Sequence, residues 1–386
     1  MEKYQQLLLA EEEISSQIEE ISEFIYQHPE LGMQEFVSSK YLCSQLEQAG
    51  FDVTYPYLGI ETAFRAELKC NAGPKIAFLP EYDALPGYGD SKAENAHACG
   101  HNWIAASTLG AALTLAKIKD QINGTIVVIG TPAEETIGGK CDLVDRGAFD
   151  DIDAAIQMHL GAENNINVKT LAMDSIEFNF SGKAAHAAAY PQLGINALDA
   201  VQLMFAGVNA LRQHMQSDAR VAGIVTKGGV ACNTVPDQAA CRYYIRAAHR
   251  NYLEELTEKV INCAKGAALM TGATLEYHNF ENSFDELKYN ENLRQILKQH
   301  LGELGVTNFI QDDSTASGSS DIGNVSLVCP TVYCEIDTGA DPKVYAHNED
   351  FLPYVHGAKA KYTLHTAAKA MAMTALDIFN DPVIVK

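Results

Sequence analysis

Residue types that bind metal ions follow several short apolar segments of this 386-residue sequence. KIAFL (75–79), TIVVIGT (125–131), AAIQMHL (154–160) and TVYCEI (331–336) are apolar runs of strand length. The candidate ligands, which lie after these runs or near their ends, are Cys99, His101, Glu135, His159 and His347. In an open α/β sheet, ligands bind outside the carboxyl ends of the strands. We therefore expect these five side chains to converge on a metal site.

Convergence, rather than any single residue, supports this interpretation. A Cys-x-His pair such as Cys99 and His101 often arises by chance, and a single histidine at a strand end is usually structural. Glu134 and Glu135 by themselves resemble a solvated surface, but they follow a very apolar strand and precede two glycines. Donor side chains from separate parts of the chain that meet at one edge favour a binding site over unrelated structural residues.

The chemistry expected of such a site is hydrolysis with two divalent metal ions. Cys99 lies directly before a predicted helix, and a helix N-terminus together with two cations favours the thiolate, so Cys99 is well placed to bridge the ions. Two ions about 3.5–4 Å apart can hold a hydroxide between them and polarise a scissile carbonyl. Glu134 then serves as the general base that takes the proton of water and passes it to the leaving nitrogen.

Alternative interpretations stay open for single residues and for the whole site. Asp83 is expected to orient a ligand histidine through a hydrogen bond, but it is equally well explained as a turn residue. A catalytically idle metal-binding or scaffold protein is a second possibility, although it has no need of a free Glu134 beside a ligand. A third treats Cys99 as a redox thiol or covalent nucleophile, which leaves His159 and His347 without a role.

The elements that position these residues alternate between apolar strands and amphipathic helices. This order is typical of an α/β fold with a mixed, largely parallel sheet flanked by helices. Residues 172–283 follow a different order, β-α-β-β-α-β, as in the ferredoxin-like split βαβ unit. We predict a discontinuous catalytic domain of residues 1–171 and 284–386, interrupted by an inserted α+β lid domain. An exposed edge strand in that lid predicts a homodimer.

Composition limits the classes of partner. The chain carries 28 basic and 50 acidic side chains, a formal charge of −22, which repels nucleic acid and anionic membranes. No stretch approaches the roughly 18 consecutive apolar residues of a membrane span. The first residues lack the pattern of a signal peptide, and the nine cysteines have no paired spacing. We therefore expect a cytoplasmic protein with reduced thiols that acts on a small molecule.

Seven motifs in order along the chain resemble the co-catalytic dinuclear metallopeptidase superfamily, which includes aminoacylase and carboxypeptidase G. The motifs are HPELGMQE (28–35), EYDALPG (81–87), HACGHN (97–102), TPAEE (131–135), MHLG (158–161), GKAAHAA (182–188) and CNTVPD (232–237). The sequence looks most like the amidohydrolase branch, which contains hippurate hydrolase, auxin-conjugate hydrolases and p-aminobenzoyl-glutamate hydrolase. The resemblance extends from about residue 14 to about residue 370 and implies the same five ligands and the same general base.

Three further roles are implied by the resemblance alone. His186 resembles a lid histidine that reaches across a dimer to stabilise the tetrahedral oxyanion. Without the family it is only a histidine at a strand end. Asn233 and Arg246 resemble lid residues that bind substrate, with the fork of Arg246 suited to a carboxylate. An exposed strand arginine is the alternative for Arg246.

The resemblance implies hydrolysis of an N-acyl amino acid, an aminobenzoyl-glutamate-like amide or a dipeptide. The alternative is deacetylation of an N-acetyl amino acid in a biosynthetic pathway. Two divalent ions are implied, zinc or manganese, with cobalt and nickel also compatible.

The sequence departs from many relatives near the metal site. It has Glu81-Tyr82-Asp83 where they have Asp-Met-Asp, Asn102 where they have aspartate, and a longer spacer at 87–96. Glu81, Asn102 and SGSSDIGNVS (317–326) look most like the p-aminobenzoyl-glutamate hydrolase and dipeptidase side.

Overall fold

The computed structural model describes residues 2–310 and 318–385, so Ser317, the first residue of the SGSSDIGNVS motif, lies outside it. These residues form two compact units. The first contains residues 2–169, 287–310 and 321–385. The second contains residues 170–286 and 318–320.

Helices and strands of the first unit alternate along much of its length. The helices are α1 (Gln5–Glu13), α2 (Ser15–Gln27), α3 (Phe36–Gln48), α4 (His101–Lys117), α5 (Gly139–Asp145), α8 (Glu291–Glu303), α9 (Ile322–Val328) and α10 (Gly357–Asn380). The strands are β1 (Asp52–Thr54), β2 (Phe64–Lys69), β3 (Lys75–Phe78), β4 (Leu85–Tyr88), β5 (Glu94–Ala96), β6 (Thr125–Gly130), β7 (Ala154–Gly161) and β12 (Thr331–Asp337).

Six of these strands form one sheet in the order β1-β2-β6-β3-β7-β12. The pairs β6–β3, β3–β7 and β7–β12 are parallel, whereas β1–β2 and β2–β6 are antiparallel. The predicted mixed, largely parallel sheet flanked by helices is confirmed. The four parallel strands correspond to the four apolar runs, so their carboxyl ends lie at one edge, as the site requires.

The central strands are apolar along their whole length because both faces of the sheet are covered. In β3, Ile76 and Phe78 join the hydrophobic cluster that includes α2, α4 and α10. The alternate residues, Ala77 and Leu79, join a second cluster that includes α5 and α9. Since successive strand side chains point to opposite faces, a strand buried on both sides needs a continuous apolar run.

The helical layer packs closely because its contact surfaces are rich in small residues. Trp103 in α4 is fully buried, and its Nε1 donates a hydrogen bond to Thr363 Oγ1 of α10 at 3.2 Å. Asn102 Nδ2 donates to Val355 O at 2.8 Å and to Ser22 Oγ at 3.1 Å, so this departure from the family pattern has a packing role. Among the described helices, none is both long and apolar enough to cross a membrane.

The second unit is a four-stranded antiparallel sheet with two helices on it. Its elements are β8 (Ala172–Ser181), α6 (Ala197–Leu211), β9 (Arg220–Lys227), β10 (Gln238–Ala247), α7 (Arg250–Thr271) and β11 (Thr274–Asn279). The strand order β11-β8-β10-β9 is that of the split βαβ unit. The predicted helix from residue 197 to 215 is shorter in the structure, because its last turn, Arg212–His214, tightens into a 3₁₀ helix.

Candidate metal centre

The carboxyl edge of the six-stranded sheet brings together the predicted donor side chains of the first unit. Three groups have donor atoms within 4.8 Å of one another: Cys99, His101 and His159; Cys99, Glu135 and His347; and His101, Glu134 and Glu135. We call Cys99, His101, Glu135, His159 and His347 the ligand cluster. Cys99 belongs to two of the groups, which is the arrangement expected of a ligand shared by two ions.

Unusual backbone conformations shape the loops that carry the cluster. Gly100 adopts a left-handed φ of 85° directly before α4, a conformation that a residue with a Cβ adopts only with strain. Ala133 and His347 also have left-handed φ angles, 62° and 67°. The backbone N–H of His347 donates to Ala98 O at 2.8 Å, which ties its loop to that of Cys99. Strained non-glycine residues of this kind concentrate at functional sites.

Asp83 connects two members of the ligand cluster. Its Oδ1 lies 2.7 Å from His101 Nδ1, and its Oδ2 accepts a hydrogen bond from the backbone N–H of Glu135 at 2.9 Å. Asp83 is buried, so these contacts hold its carboxylate in one orientation. A carboxylate bonded to one ring nitrogen of a histidine leaves the other nitrogen available to a metal ion. This geometry favours the orienting role of Asp83 over that of a simple turn residue.

His159 is oriented in a similar way by the backbone. Its Nδ1 lies 2.8 Å from Leu160 O and can only donate to that carbonyl. Its Nε2 therefore carries the lone pair when the ring is neutral, and this atom lies 3.5 Å from Cys99 Sγ. His347 Nε2 lies 3.1 Å from Glu135 Oε1, although more than half of the His347 side chain is exposed.

Unpaired buried atoms show that these residues fit a cation. His101 Nε2 and Glu81 Oε2 are buried without a hydrogen-bond partner among the described residues, and they face each other at 3.5 Å. Buried polar atoms in native proteins nearly always have a partner, so each exception needs an explanation. Thiolate, imidazole and carboxylate donors together suit zinc and other first-row divalent ions. The donor set therefore fits a divalent metal centre.

Electrostatics distinguish the roles open to Cys99 and Glu134. Burial raises the pKa of the Cys99 thiol well above its usual value, and the Glu135 carboxylate raises it further. A free thiolate nucleophile is disfavoured there, because only a nearby cation would offset both effects. Burial likewise raises the pKa of Glu134, with added repulsion from Glu81 and Glu135. A raised carboxyl pKa suits a group that must accept a proton and then release it.

Two charged residues beside the cluster were missed by sequence analysis. Lys140, at the start of α5, is fully buried, and its Nζ lies 2.5 Å from Glu81 Oε1 and 2.7 Å from Asp321 Oδ1. The backbone N–H of Lys140 also donates to Asp321 Oδ2 at 2.9 Å. The available signals were a lysine directly after two glycines and an aspartate within SGSSDIGNVS. Neither signal identifies a partner from sequence alone.

The spacer at residues 87–96 contributes to a hairpin, in which β4 pairs with β5 in antiparallel register. A cavity of about 450 Å³ lies beside the hairpin within the first unit. Its lining includes Tyr88 and Lys92 from the spacer, together with His347 and Glu349. The spacer is therefore in a position to affect what reaches His347.

The three residues inferred from family resemblance alone lie in the second unit. His186 is exposed, and its Nδ1 accepts hydrogen bonds from the backbone N–H groups of Ala188 and Ala189 at 3.3 and 3.2 Å. Asn233 lies beside it, since Asn233 O accepts from the N–H of Ala187 at 2.9 Å.

Arg246 lies elsewhere in this unit, in β10. Its Nε donates to Ser319 Oγ at 3.2 Å, and its guanidinium carbon lies 5.0 Å from the centroid of the Tyr244 ring. These contacts leave it half-buried, unlike an ordinary exposed strand arginine.

Comparison with known proteins identifies a family and several relatives. The family model "Peptidase family M20/M25/M40" matches residues 77–372. The chain is 37% identical over 392 residues to a Xaa-Arg dipeptidase of Mus musculus, covering 97% of this chain and 88% of the relative. It is 38% identical over 300 residues to one of the p-aminobenzoyl-glutamate hydrolase subunits of Escherichia coli K12, covering 74% and 62% respectively.

Solved structures share the fold at lower sequence identity. A dinuclear metal-binding peptidase from Bacillus subtilis has a TM-score of 0.71 at 21% identity, with 96% of this chain and 99% of that chain covered. An aminobenzoyl-glutamate utilization protein from Klebsiella pneumoniae has a TM-score of 0.74 at 20% identity, with 95% and 97% covered. At these identities the likeness is one of fold.

Proposed function

Because the chain belongs to peptidase family M20/M25/M40 and is a metal-dependent hydrolase of amide or peptide bonds, we propose that the ligand cluster holds two divalent ions and that Glu134 is the general base. The observation that carries this proposal is the sharing of Cys99 between two groups of donor atoms. One group would hold each ion, with the Cys99 thiolate between them. Zinc or manganese is the proposed metal, and cobalt or nickel is compatible with the same donors.

In the proposed mechanism, Glu134 moves a proton. The bound ions supply positive charge that activates water and polarises the scissile carbonyl. The Glu134 carboxylate accepts the proton of the attacking water and donates it to the leaving nitrogen. Asp83 keeps the Nδ1 proton of His101 in place, so that His101 Nε2 stays available as a ligand atom.

We assign oxyanion stabilisation to His186. Because its Nδ1 accepts two backbone N–H bonds, the neutral ring carries its proton on Nε2. An exposed Nε2–H is a suitable donor to the oxyanion that forms when water attacks the carbonyl. The role belongs to a homodimer, in which His186 of one protomer serves the site of the other.

The second unit also supports the proposed homodimer. β9 is the edge strand of its sheet, and Ile224 and Val225 in β9 are exposed. An apolar edge strand is suited to pairing with a second copy. We expect sedimentation equilibrium to give twice the chain mass of 42.0 kDa, and a monomer at micromolar concentration would contradict this assembly.

The proposed substrate is a dipeptide or N-acyl amino acid with a free carboxylate. Arg246 has the fork geometry that binds a carboxylate, and Asn233 offers an amide beside His186. The names of the relatives suggest two substrates to test, a dipeptide with C-terminal arginine and p-aminobenzoyl-glutamate. All nine cysteines are free, which supports a reducing, cytoplasmic compartment.

A hydrolysis panel tests the proposal. It contains Xaa-Arg dipeptides, other dipeptides, p-aminobenzoyl-glutamate and N-acetyl amino acids, assayed before and after chelation and after addition of Mn²⁺ or Zn²⁺. We expect cleavage of one carboxylate-bearing class, which stops with chelator and returns with metal. Cleavage confined to N-acetyl amino acids would favour the deacetylase alternative, and cleavage indifferent to chelation would contradict the proposal.

A further inference from the structure

Glu81 has one oxygen in an ion pair and one oxygen free. Its Oε1 lies 2.5 Å from Lys140 Nζ, a contact that fixes the orientation of the carboxylate. Its Oε2 is buried without a hydrogen-bond partner among the described residues and faces His101 Nε2 at 3.5 Å. The fixed carboxylate therefore directs its free oxygen to a member of the ligand cluster.

The charges around Glu81 do not balance within the described part of the chain. Lys140 is the cation in contact with both Glu81 and Asp321, and all three side chains are almost completely buried. One positive and two negative charges leave a net charge of −1. Buried charge without a compensating partner is strongly destabilising. A cation on the free side of Glu81 would supply the missing charge.

The two unpaired atoms are both electron-pair donors. His101 Nδ1 bonds to Asp83, so Nε2 of the neutral ring carries a lone pair, as does the carboxylate oxygen that faces it. Two ligands of one tetrahedral ion with bonds of about 2.0–2.2 Å lie about 3.3–3.6 Å apart. The observed separation of 3.5 Å has this value.

We propose that Glu81 Oε2 is a sixth protein ligand of the metal centre and binds the same ion as His101. Lys140 holds the other oxygen of Glu81 and so presents Oε2 to that ion. The inference rests on the proposed dinuclear site. It gives a specific role to one residue at which this sequence departs from the Asp-Met-Asp pattern of many relatives.

The test is metal affinity in Glu81→Gln, with Glu11→Gln as the matched control. Glutamine keeps the size of the side chain and leaves Lys140 paired with Asp321, so no buried cation is orphaned. Glu11 is also a buried carboxylate between a histidine and a lysine, with Oε1 2.6 Å from His365 Nδ1 and Oε2 3.0 Å from Lys369 Nζ. It lies in α1, outside the ligand cluster.

Both variants and the wild type are stripped with chelator and titrated with Zn²⁺ in competition with a chromophoric chelator. We expect Glu81→Gln to bind one of its two ions at least about tenfold more weakly, while Glu11→Gln binds both ions like the wild type. The Co²⁺-loaded Glu81→Gln protein should also show altered visible absorption, because one ion loses an oxygen ligand. Circular dichroism checks folding, and Glu81→Ala repeats the test if the glutamine variant does not fold.

Wild-type affinity for both ions and an unchanged Co²⁺ spectrum in folded Glu81→Gln would overturn the role of Glu81. That result leaves the dinuclear site intact, provided that the wild type binds two ions. A wild type that binds no ions would instead refute the proposed site itself. The two failures are therefore distinguishable in one titration.

Discussion

Two histidines of the first unit lie between carboxylates, and their surroundings differ in one respect. His365, in α10, has Nδ1 2.6 Å from Glu11 Oε1 and Nε2 3.1 Å from Glu19 Oε1, so both ring nitrogens are paired. His101, at the sheet edge, has Nδ1 2.7 Å from Asp83, but Nε2 has no hydrogen-bond partner among the described residues. A carboxylate oxygen of Glu81 faces that nitrogen at 3.5 Å.

This difference separates a structural polar cluster from a binding site. The His365 cluster joins α1, α2 and α10, and its ion pairs stabilise that contact. The sheet edge instead keeps buried donor atoms unpaired, which costs folding free energy, about 1–3 kcal/mol for each orphaned group. A bound ion recovers this cost only in the folded protein. The same residue types therefore serve stability in one region and binding in the other.

The largest expected effect separates catalysis from metal binding at the sheet edge. Glu134→Ala should lower kcat by about 10²–10⁴-fold, because the proton of the attacking water loses its acceptor. Metal content, measured by elemental analysis of the same sample, should stay near that of the wild type. Loss of metal together with activity would show that Glu134 is a ligand rather than the base.

The second effect tests the charge network beside the site. Lys140→Met should destabilise the metal-free protein by about 3–5 kcal/mol, since it leaves Glu81 and Asp321 buried without their cation. Urea unfolding of the chelated proteins measures the difference. Lys361→Met, which removes an exposed partner of Glu19, is the control and should cost less than about 1 kcal/mol. Equal costs for the two variants would contradict the buried network.

The third prediction exchanges the two histidines of the comparison. His101→Gln should weaken metal binding by at least about tenfold, because it removes a nitrogen ligand. His365→Gln should leave metal binding unchanged and lower stability instead, since it breaks the pairing of Glu11 and Glu19. Zn²⁺ titration and urea unfolding of both variants give the two readouts. Weak metal binding in His365→Gln would remove the distinction between the regions.

The smallest effect is a pH dependence of stability from His365. Burial lowers the pKa of His365, but the hydrogen bonds and charges of Glu11 and Glu19 outweigh burial and raise it above the ordinary value of 6.5. The folded state therefore binds the proton more tightly than the unfolded state. This contribution is fully present below about pH 6.5 and is lost as the pH rises through the raised pKa.

Urea unfolding between about pH 6 and pH 9 measures this contribution as the difference between the wild type and His365→Gln. The difference should shrink as the pH rises. A difference that is constant or grows over this range would show that His365 is not charged in the folded protein.

Much of the first unit could be predicted because its signals are local. Continuous apolar runs predicted β3, β6, β7 and β12, and metal-binding residue types after them predicted the ligand cluster. Lys140 and Asp321 could not be paired from sequence, because the contact joins positions 181 residues apart and depends on the start of α5. The free oxygen of Glu81 was equally hidden, since an unpaired atom is a property of packing. Sequence pattern does not distinguish His101 from His365 for the same reason.

The most direct test of the central claim is a count of metal ions per chain in the wild type and in His101→Gln. Chelated protein is dialysed against buffered Zn²⁺ or Mn²⁺, and bound metal is measured by elemental analysis together with hydrolysis of the cleaved substrate. We predict two ions per wild-type chain with activity restored, and fewer than two in His101→Gln. Activity without bound metal, or an equal count in both proteins, would contradict the account.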